Sequence, residues 1–373
     1  MKYDYLITGA GITGCVIAEQ LTRIGKKVLI IDQRNHIGGL CYTEEQSGIQ
    51  IHKYGPHIFH TNNIKIWNYI NKRVRMIRYE HRVKTLSRGE IFQCPINLLT
   101  LHRLWGVCAP QDAERILQEK KVSIANPRNA EEVFLSQVGE ELYKRFYYGY
   151  TKKQWGIEPC RLSPQIATRV KIRTDFDDRY FTDQYQGLPK AGYTEFFQRL
   201  TEKSEVKLQT PYRSSLKRLC KKHIYTGSID ELFNFKFGKL EYRHSHFNII
   251  ISKHSHYGCP VMNLADANIP FTRIAEQNYL NPNKPSDVHI IYEERSINAN
   301  NLIEAYYPII NEKNNILYRR YYNLLPSDTF VCGRLGEYKY IDMCQAIENS
   351  LGCARLALGF DQPGGKSGED NGS

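Results

Sequence analysis

Tyr3-Asp4-Tyr5-Leu6-Ile7-Thr8-Gly9-Ala10-Gly11-Ile12-Thr13-Gly14 is the stretch whose reading decides the fold. Tyr3 to Ile7 reads as a short buried strand. It runs through three glycines spaced GxGxxG into a helix with Val16, Ile17, Leu21 and Ile24 at its apolar positions. A second strand, Lys27 to Ile31, ends on Asp32, and Gly38-Gly39 follows. Strand, helix and acid stand where a dinucleotide-binding βαβ unit needs them. Gly9 permits the tight turn, Gly11 lets backbone approach a pyrophosphate, and Gly14 lets helix pack on strand. The free N–H groups at the helix start then face the anion, and Asp32 accepts hydrogen bonds from a ribose. The plainer alternative is a Gly-rich turn in an ordinary α/β protein.

The remaining composition narrows the class. A chain of 373 residues suggests two or three domains. No apolar run is long enough for a membrane span, and the first strand begins too early to leave room for a signal peptide, so a cytoplasmic protein is expected. Ten scattered cysteines without CxxC pairs are expected to be reduced and buried. The net charge of +12 could suggest nucleic acid, but it is spread along the chain in short clusters, and a polyanionic small molecule explains it equally well, so no nucleic acid is expected. His52, His57 and His60 have no zinc spacing, so no metal is expected. The Tyr54-Gly55-Pro56-His57 turn instead holds His57 at a fixed point.

In chain order, residues 1–94 are expected to form the first part of the dinucleotide-binding domain, and 95–160 a helical insertion with a mobile loop at 121–129. Residues 161–187 begin a β-sheet domain, 188–239 return to the first domain, and 240–322 supply an antiparallel sheet. Residues 323–358 complete the first domain, with Asp342 as a helix N-cap, and 359–373 form a disordered tail. Aromatics at 146, 150 and 155 offer either a stacking platform or a helical core, and Arg169 offers a fork for phosphate.

Assembled, the motifs resemble those of bacterial UDP-galactopyranose mutases over about residues 2–355. The blocks that carry the likeness are Gly9–Gly14, Asp32–Gly39, His52-Lys53-Tyr54-Gly55-Pro56-His57-Ile58-Phe59-His60-Thr61 and Gly149-Tyr150-Thr151-Lys152-Lys153-Gln154-Trp155-Gly156. Tyr185–Pro189, Asp266–Pro270 and Gly333-Arg334-Leu335-Gly336-Glu337-Tyr338-Lys339-Tyr340 continue it. The first two blocks are shared by many FAD oxidases, whereas the Tyr-Gly-Pro-His, Gln-Trp-Gly and Glu-Tyr-Lys-Tyr blocks are more specific.

The resemblance implies an α/β protein with an FAD-binding Rossmann-like domain built from discontinuous segments, a helical insertion domain and an antiparallel β-sheet domain. It implies a homodimeric isomerase of nucleotide-sugar metabolism that serves polysaccharide biosynthesis. UDP-galactopyranose and UDP-galactofuranose would interconvert through a covalent adduct between reduced flavin N5 and the sugar. By likeness, Arg169 and Arg273 grip the departing diphosphate, Tyr180, Tyr307 and Tyr340 donate to it, and His57 tunes the flavin. Phe146, Tyr150 and Trp155 form the uridine platform, and Gln154 and Asn263 read the uracil edge. Gly9, Gly11, Thr13, Gly14, Asp32, Arg34, Gly39, Leu40, His57, Ile58, Arg334, Asp342 and Met343 are the matching FAD positions.

Three departures concern the sugar end. Leu40 stands where the family usually has Asn beside the flavin, His81 where an Asn contacts the sugar, and Phe271 where a Tyr precedes the essential Arg. The substrate therefore remains open between UDP-galactopyranose, dTDP-fucopyranose and UDP-N-acetylgalactopyranose. An amine-oxidase-type FAD oxidoreductase and a non-catalytic binding module are the alternative classes.

Overall fold

β1 (Tyr3–Thr8) lies at the centre of a five-stranded parallel sheet. The computed structural model of the protein describes residues 1–167, 172–281, 286–299 and 305–360. On one side β1 pairs with β2 (Val28–Ile31), bringing Thr8 opposite Ile31, and beyond β2 lies Glu205–Lys207. On the other side stand Cys220–Tyr225 and then Thr329–Val331. Leu6, Ile7, Leu29, Ile30 and Ile31 are almost completely buried, the continuous apolar pattern of a sheet covered on both faces.

α1 (Ile12–Arg23) buries Val16, Ile17 and Leu21 in the core beside this sheet, where Ile347 and Ala354 of the helix Met343–Leu358 also pack. Ile24, expected on the same apolar face, instead caps α1 and is 53% exposed, because the chain turns at Gly25 with φ +77°. Asp342 caps the helix Met343–Leu358, accepting from the Gln345 N–H at 2.8 Å while the Gln345 side chain accepts from Asp342 N–H at 3.0 Å.

The second layer is a seven-stranded sheet in the order Tyr307–Pro308, Tyr242–Ser252, His289–Asn298, Arg273–Glu276, Val261–Leu264, Val83–Ser87, Glu90–Cys94. This corrects two expected boundaries. Val83–Cys94 leaves the dinucleotide unit for this sheet, because Val83–Leu86 pairs in parallel with Val261–Leu264 from far along the chain. Tyr185–Pro189 crosses the boundary expected at 187 and pairs with Phe59–Thr61 and Met76–Arg78, so Leu188 and Phe59 share the first core. Neither pairing leaves a local signature.

Helices Leu98–Trp105, Pro110–Lys120, Ala130–Leu142 and Tyr148–Trp155 pack around Leu101, Phe134, Leu142 and Trp155. A π-helical stretch, Tyr143–Tyr147, joins the last two. The cysteines of the described residues are free thiols, but Cys108 and Cys160 are exposed, which corrects the expectation of burial. No helix among the described residues is long and apolar enough to cross a membrane. The expected tail lies outside them, apart from Gly359 and Phe360.

Candidate active site

The carboxyl ends of the parallel strands open onto a cleft of about 1160 Å³. Its floor is made of glycines because nothing larger fits. A Cβ on Gly9, where φ is +104°, would stand 2.1 Å from Thr226 Oγ1, and one on Gly333, where φ is +86°, would stand 2.8 Å from Thr13 Oγ1. One on Gly39 would press to 3.0 Å from Gly11 Cα. α1 starts at Gly11 without a side-chain cap, so its first N–H groups are left for an anion. Asp32 anchors the rim: Oδ2 accepts from Ala10 N–H and Oδ1 from Arg34 N–H, both at 2.8 Å.

Of the residues expected here, Gly9, Gly11, Thr13, Asp32, Arg34, Gly39, Leu40, His57, Arg334, Asp342 and Met343 line the cleft. Two expected members do not. Ile58 is 7% exposed and belongs to the first core. Gly14 sits inside α1, where a Cβ would come within 1.9 Å of the Gly9 carbonyl oxygen, so its service is to packing.

His57 lines this cleft and also reaches the aromatic segment at Tyr306, the two ring centroids being 6.4 Å apart. Its Nδ1 lies 2.8 Å from the Gly55 carbonyl, which can only accept, so Nδ1 carries the proton and Nε2 presents a lone pair. Nε2 lies 3.4 Å from the Tyr306 hydroxyl, which donates its own proton to Tyr54 O at 2.7 Å. Burial lowers the His57 pKa to about 4, and the nearby Arg334 and Arg273 charges act in the same direction. The ring is therefore neutral at physiological pH.

Beyond His57, a polar row crosses the second sheet. Asn263 pairs with Arg273, and Arg273 with Glu294, in antiparallel register. The Arg273 Nε–H donates to Glu294, which is 1% exposed and also accepts from Ser245 Oγ at 2.8 Å. Burial opposes the charge on Arg273, yet the Glu294 carboxylate outweighs it and holds the guanidinium protonated well above its ordinary range. Nε is committed to Glu294, and Nη2 lies beside the Gly55 turn, 3.7 Å from where a Gly55 Cβ would stand.

The aromatic wall comes from three stretches of chain. Helix Tyr148–Trp155 brings Trp155, whose ring centroid lies 6.2 Å from Tyr307 and 6.1 Å from Tyr340. Tyr306 and Tyr307 are 4.5 Å apart, and the Arg334 guanidinium stands 5.1 Å from the Tyr307 ring and 5.6 Å from that of Tyr340. Burial pushes the Tyr150, Tyr306 and Tyr307 pKa values up, so these phenols remain protonated donors.

The other expected residues divide. Tyr180 is 39% exposed, and its ring meets His81 edge-on at 5.7 Å. His81 is 5% exposed, and burial holds its pKa down at about 3. Half-buried Asn263 donates weakly to Cys94 Sγ at 3.5 Å, and Gln154 is also half-buried. Phe146 turns into the helical core against Phe92 at 5.1 Å, so its ring contributes packing to the platform rather than an open face. Phe271 packs with Met262 and Ile274, on the opposite face of the sheet from Arg273. Arg169 lies outside the described residues. Sequence reasoning missed Glu294, Tyr306 and Lys153. Tyr306 had a signal in the Tyr-Tyr-Pro run, whereas Glu294 had none, because strand register alone brings it to Arg273.

A parallel sheet whose strands open at their carboxyl ends onto a glycine-floored cleft defines a dinucleotide-binding α/β protein. Comparison makes the class particular. Residues 145–340 match the sequence model of the UDP-galactopyranose mutase family, and residues 7–73 match that of an NAD(P)-binding Rossmann-like domain. A probable UDP-galactopyranose mutase of Klebsiella pneumoniae is 38% identical over 357 residues, 93% of each chain. A dTDP-fucopyranose mutase of Escherichia coli is 36% identical over 368 residues, 95% of this chain and 98% of that one. A crystal structure of reduced UDP-galactopyranose mutase superposes with a TM-score of 0.76 at 17% identity, covering 97% of this chain and 95% of that one. The chain belongs to the UDP-galactopyranose mutase family and is a mutase.

Proposed function

We propose that the protein is an FAD-dependent pyranose–furanose mutase of a nucleotide sugar, with UDP-galactopyranose and UDP-galactofuranose as its pair. The observation that carries this reading is the placement of Arg273 and the Tyr306–Tyr307–Tyr340–Trp155 wall beside His57, at the mouth of the glycine-floored cleft. That cleft fits a flavin dinucleotide. Gly9, Gly39 and Gly333 leave room where side chains would clash, the start of α1 suits the pyrophosphate, and Asp32 suits a ribose. Bound and reduced, the flavin would supply the nucleophile for the anomeric carbon.

The chain's own residues hold and polarise. As the bond from sugar to diphosphate breaks, negative charge grows on the leaving oxygen. Arg273, with Arg169 assigned to the same task, stabilises that charge more than it stabilises the ground state. Tyr180, Tyr307 and Tyr340 donate hydrogen bonds without adding charge. Trp155 and Tyr150 flank the base, with Gln154 and Asn263 at its edge. Neutral His57 offers an acceptor at Nε2 beside the Tyr306 hydroxyl, and His81 is assigned to the sugar. The assignment further places the enzyme in the cytoplasm as a homodimer.

The dTDP-fucopyranose mutase at 36% identity supports a second reading of the sugar. One experiment decides both. Chemically reduced holoenzyme is incubated separately with UDP-galactofuranose, dTDP-fucofuranose and UDP-N-acetylgalactosamine, and ring isomers are separated by chromatography. Conversion of one of them only after reduction, without bleaching of the oxidised flavin by substrate, is the expected result. Bleaching without added reductant indicates an oxidoreductase, and no conversion of any of the three removes the catalytic assignment.

A further inference from the structure

Lys153 sits one residue before Gln154, yet its side chain does not reach toward a ligand. Its Nζ donates to three backbone carbonyls, Leu264 at 2.7 Å, Asp266 at 2.8 Å and Phe271 at 2.9 Å. An ammonium has three N–H donors, so all three are spent, and Lys153 is not a phosphate ligand. One carbonyl is that of the last residue of Val261–Leu264, and the other two belong to the loop that joins this strand to Arg273–Glu276, where Asn263 pairs with Arg273. Lys153 thus holds the loop between the two side chains assigned to the base edge and the diphosphate.

A second contact fixes the same face. A Cβ on Gly149 would meet Ala265 O at 2.3 Å and Ala267 N at 2.9 Å, so the helix backbone lies directly on the loop. Gly149 and Lys153 are four apart and share one helix face, whereas Tyr150 and Gln154, also four apart, share the adjoining one. Docking the first face on the loop sets where the second points. Burial pulls the Lys153 pKa down to about 8, and the nearby Asp266 charge only partly opposes this. The ammonium is thus held by carbonyl dipoles at a cost in desolvation.

We infer that Lys153 is a positioning residue that locks the base-reading helix to the hairpin carrying Arg273, so that one ligand is gripped by base and diphosphate at once. The inference rests on the nucleotide-sugar reading of this pocket and specifies how its two halves are coupled. When two half-sites are held at a fixed spacing, the second contact becomes intramolecular, and affinity for the joined ligand exceeds that for either part. Loosening the spacing removes that gain and leaves each half-site able to bind its own fragment.

The test measures affinities of the holoenzyme for UDP, uridine and inorganic pyrophosphate, in wild type, Lys153→Met and Gly149→Ala. Both variants should weaken UDP by about 30-fold or more while uridine and pyrophosphate change by less than about threefold. Flavin content, set in the other cleft, should match wild type and shows that the variants are folded. Two results overturn the inference: UDP affinity within about threefold of wild type in both variants, or loss of the two fragments in parallel with UDP. A wild-type holoenzyme that binds neither UDP nor dTDP removes the reading beneath it, and the inference with it.

Discussion

Gly14 and Gly352 both lie inside α-helices, and the same change, Gly→Ala, should move stability in opposite directions. At a helical site Ala is favoured over Gly by about 1 kcal/mol, and this gain is available at both. At Gly352 nothing lies within 4 Å of the added Cβ, so the gain is kept. At Gly14 the Cβ would stand 1.9 Å from Gly9 O and 3.1 Å from both Gly9 C and Ile7 Cγ2. Backbone must retreat by about 1.1 Å to reach the 3.0 Å that real contacts respect. Overpacking of this kind costs about 1–3 kcal/mol, so Gly14→Ala should lose the helix gain and come out destabilised by up to about 2 kcal/mol. The displaced carbonyl belongs to the cofactor turn, so flavin retention should fall with it. Urea unfolding of the two variants, read with flavin content after gel filtration, gives the answer. Gly14→Ala as stable as wild type, with full flavin, would refute the claim that helix and strand meet there without room for a methyl.

Three further outcomes are expected. Asp32→Asn turns an amide N–H toward either Ala10 or Arg34 N–H, a mismatch of about 1–3 kcal/mol, and flavin affinity should drop about tenfold or more by equilibrium dialysis. His52, His81 and His223 are buried with pKa values of about 3, below the ordinary 6.5, so the unfolded chain binds more protons than the folded one between those values. Their stability is complete above pH 6.5 and is lost as pH falls, by about 2 kcal/mol per histidine at pH 5, which urea midpoints at pH 8 and 5 will measure. Arg273→Lys keeps a charge but not the fork that bonds Glu294 and, on the proposed function, the diphosphate, and turnover by the reduced enzyme should fall about 100-fold or more.

Much of the fold can be read from local pattern. The GxGxxG turn, the Asp32 rim and the Asp342 cap depend on residues close in sequence, and each signals through spacing alone. What escapes is pairing between distant segments. Val83–Leu86 reads as a strand but says nothing about its parallel partner at Val261–Leu264. The same limit governs the pocket. Arg273 stands out by motif, but Glu294 reaches it only through strand register, and Lys153 is indistinguishable from the adjacent Lys152 until its carbonyl partners are seen. Aromatic spacing likewise marks Phe146 and Trp155 equally, although one ring packs on Phe92 and the other stands near Tyr307 and Tyr340.

The strand at Thr329–Val331 closes the edge of the parallel sheet, and the residues just after it, Gly333 to Met343, form one wall of the cofactor cleft. A nascent chain that has reached residue 328 therefore has most of the sheet but not this wall, and the outer edge of Cys220–Tyr225 is still bare for association with other chains. Cofactor capture is thus a late event in the life of the polypeptide. Fragments that stop short of this segment should be colourless and prone to precipitate, however complete their N-terminal fingerprint.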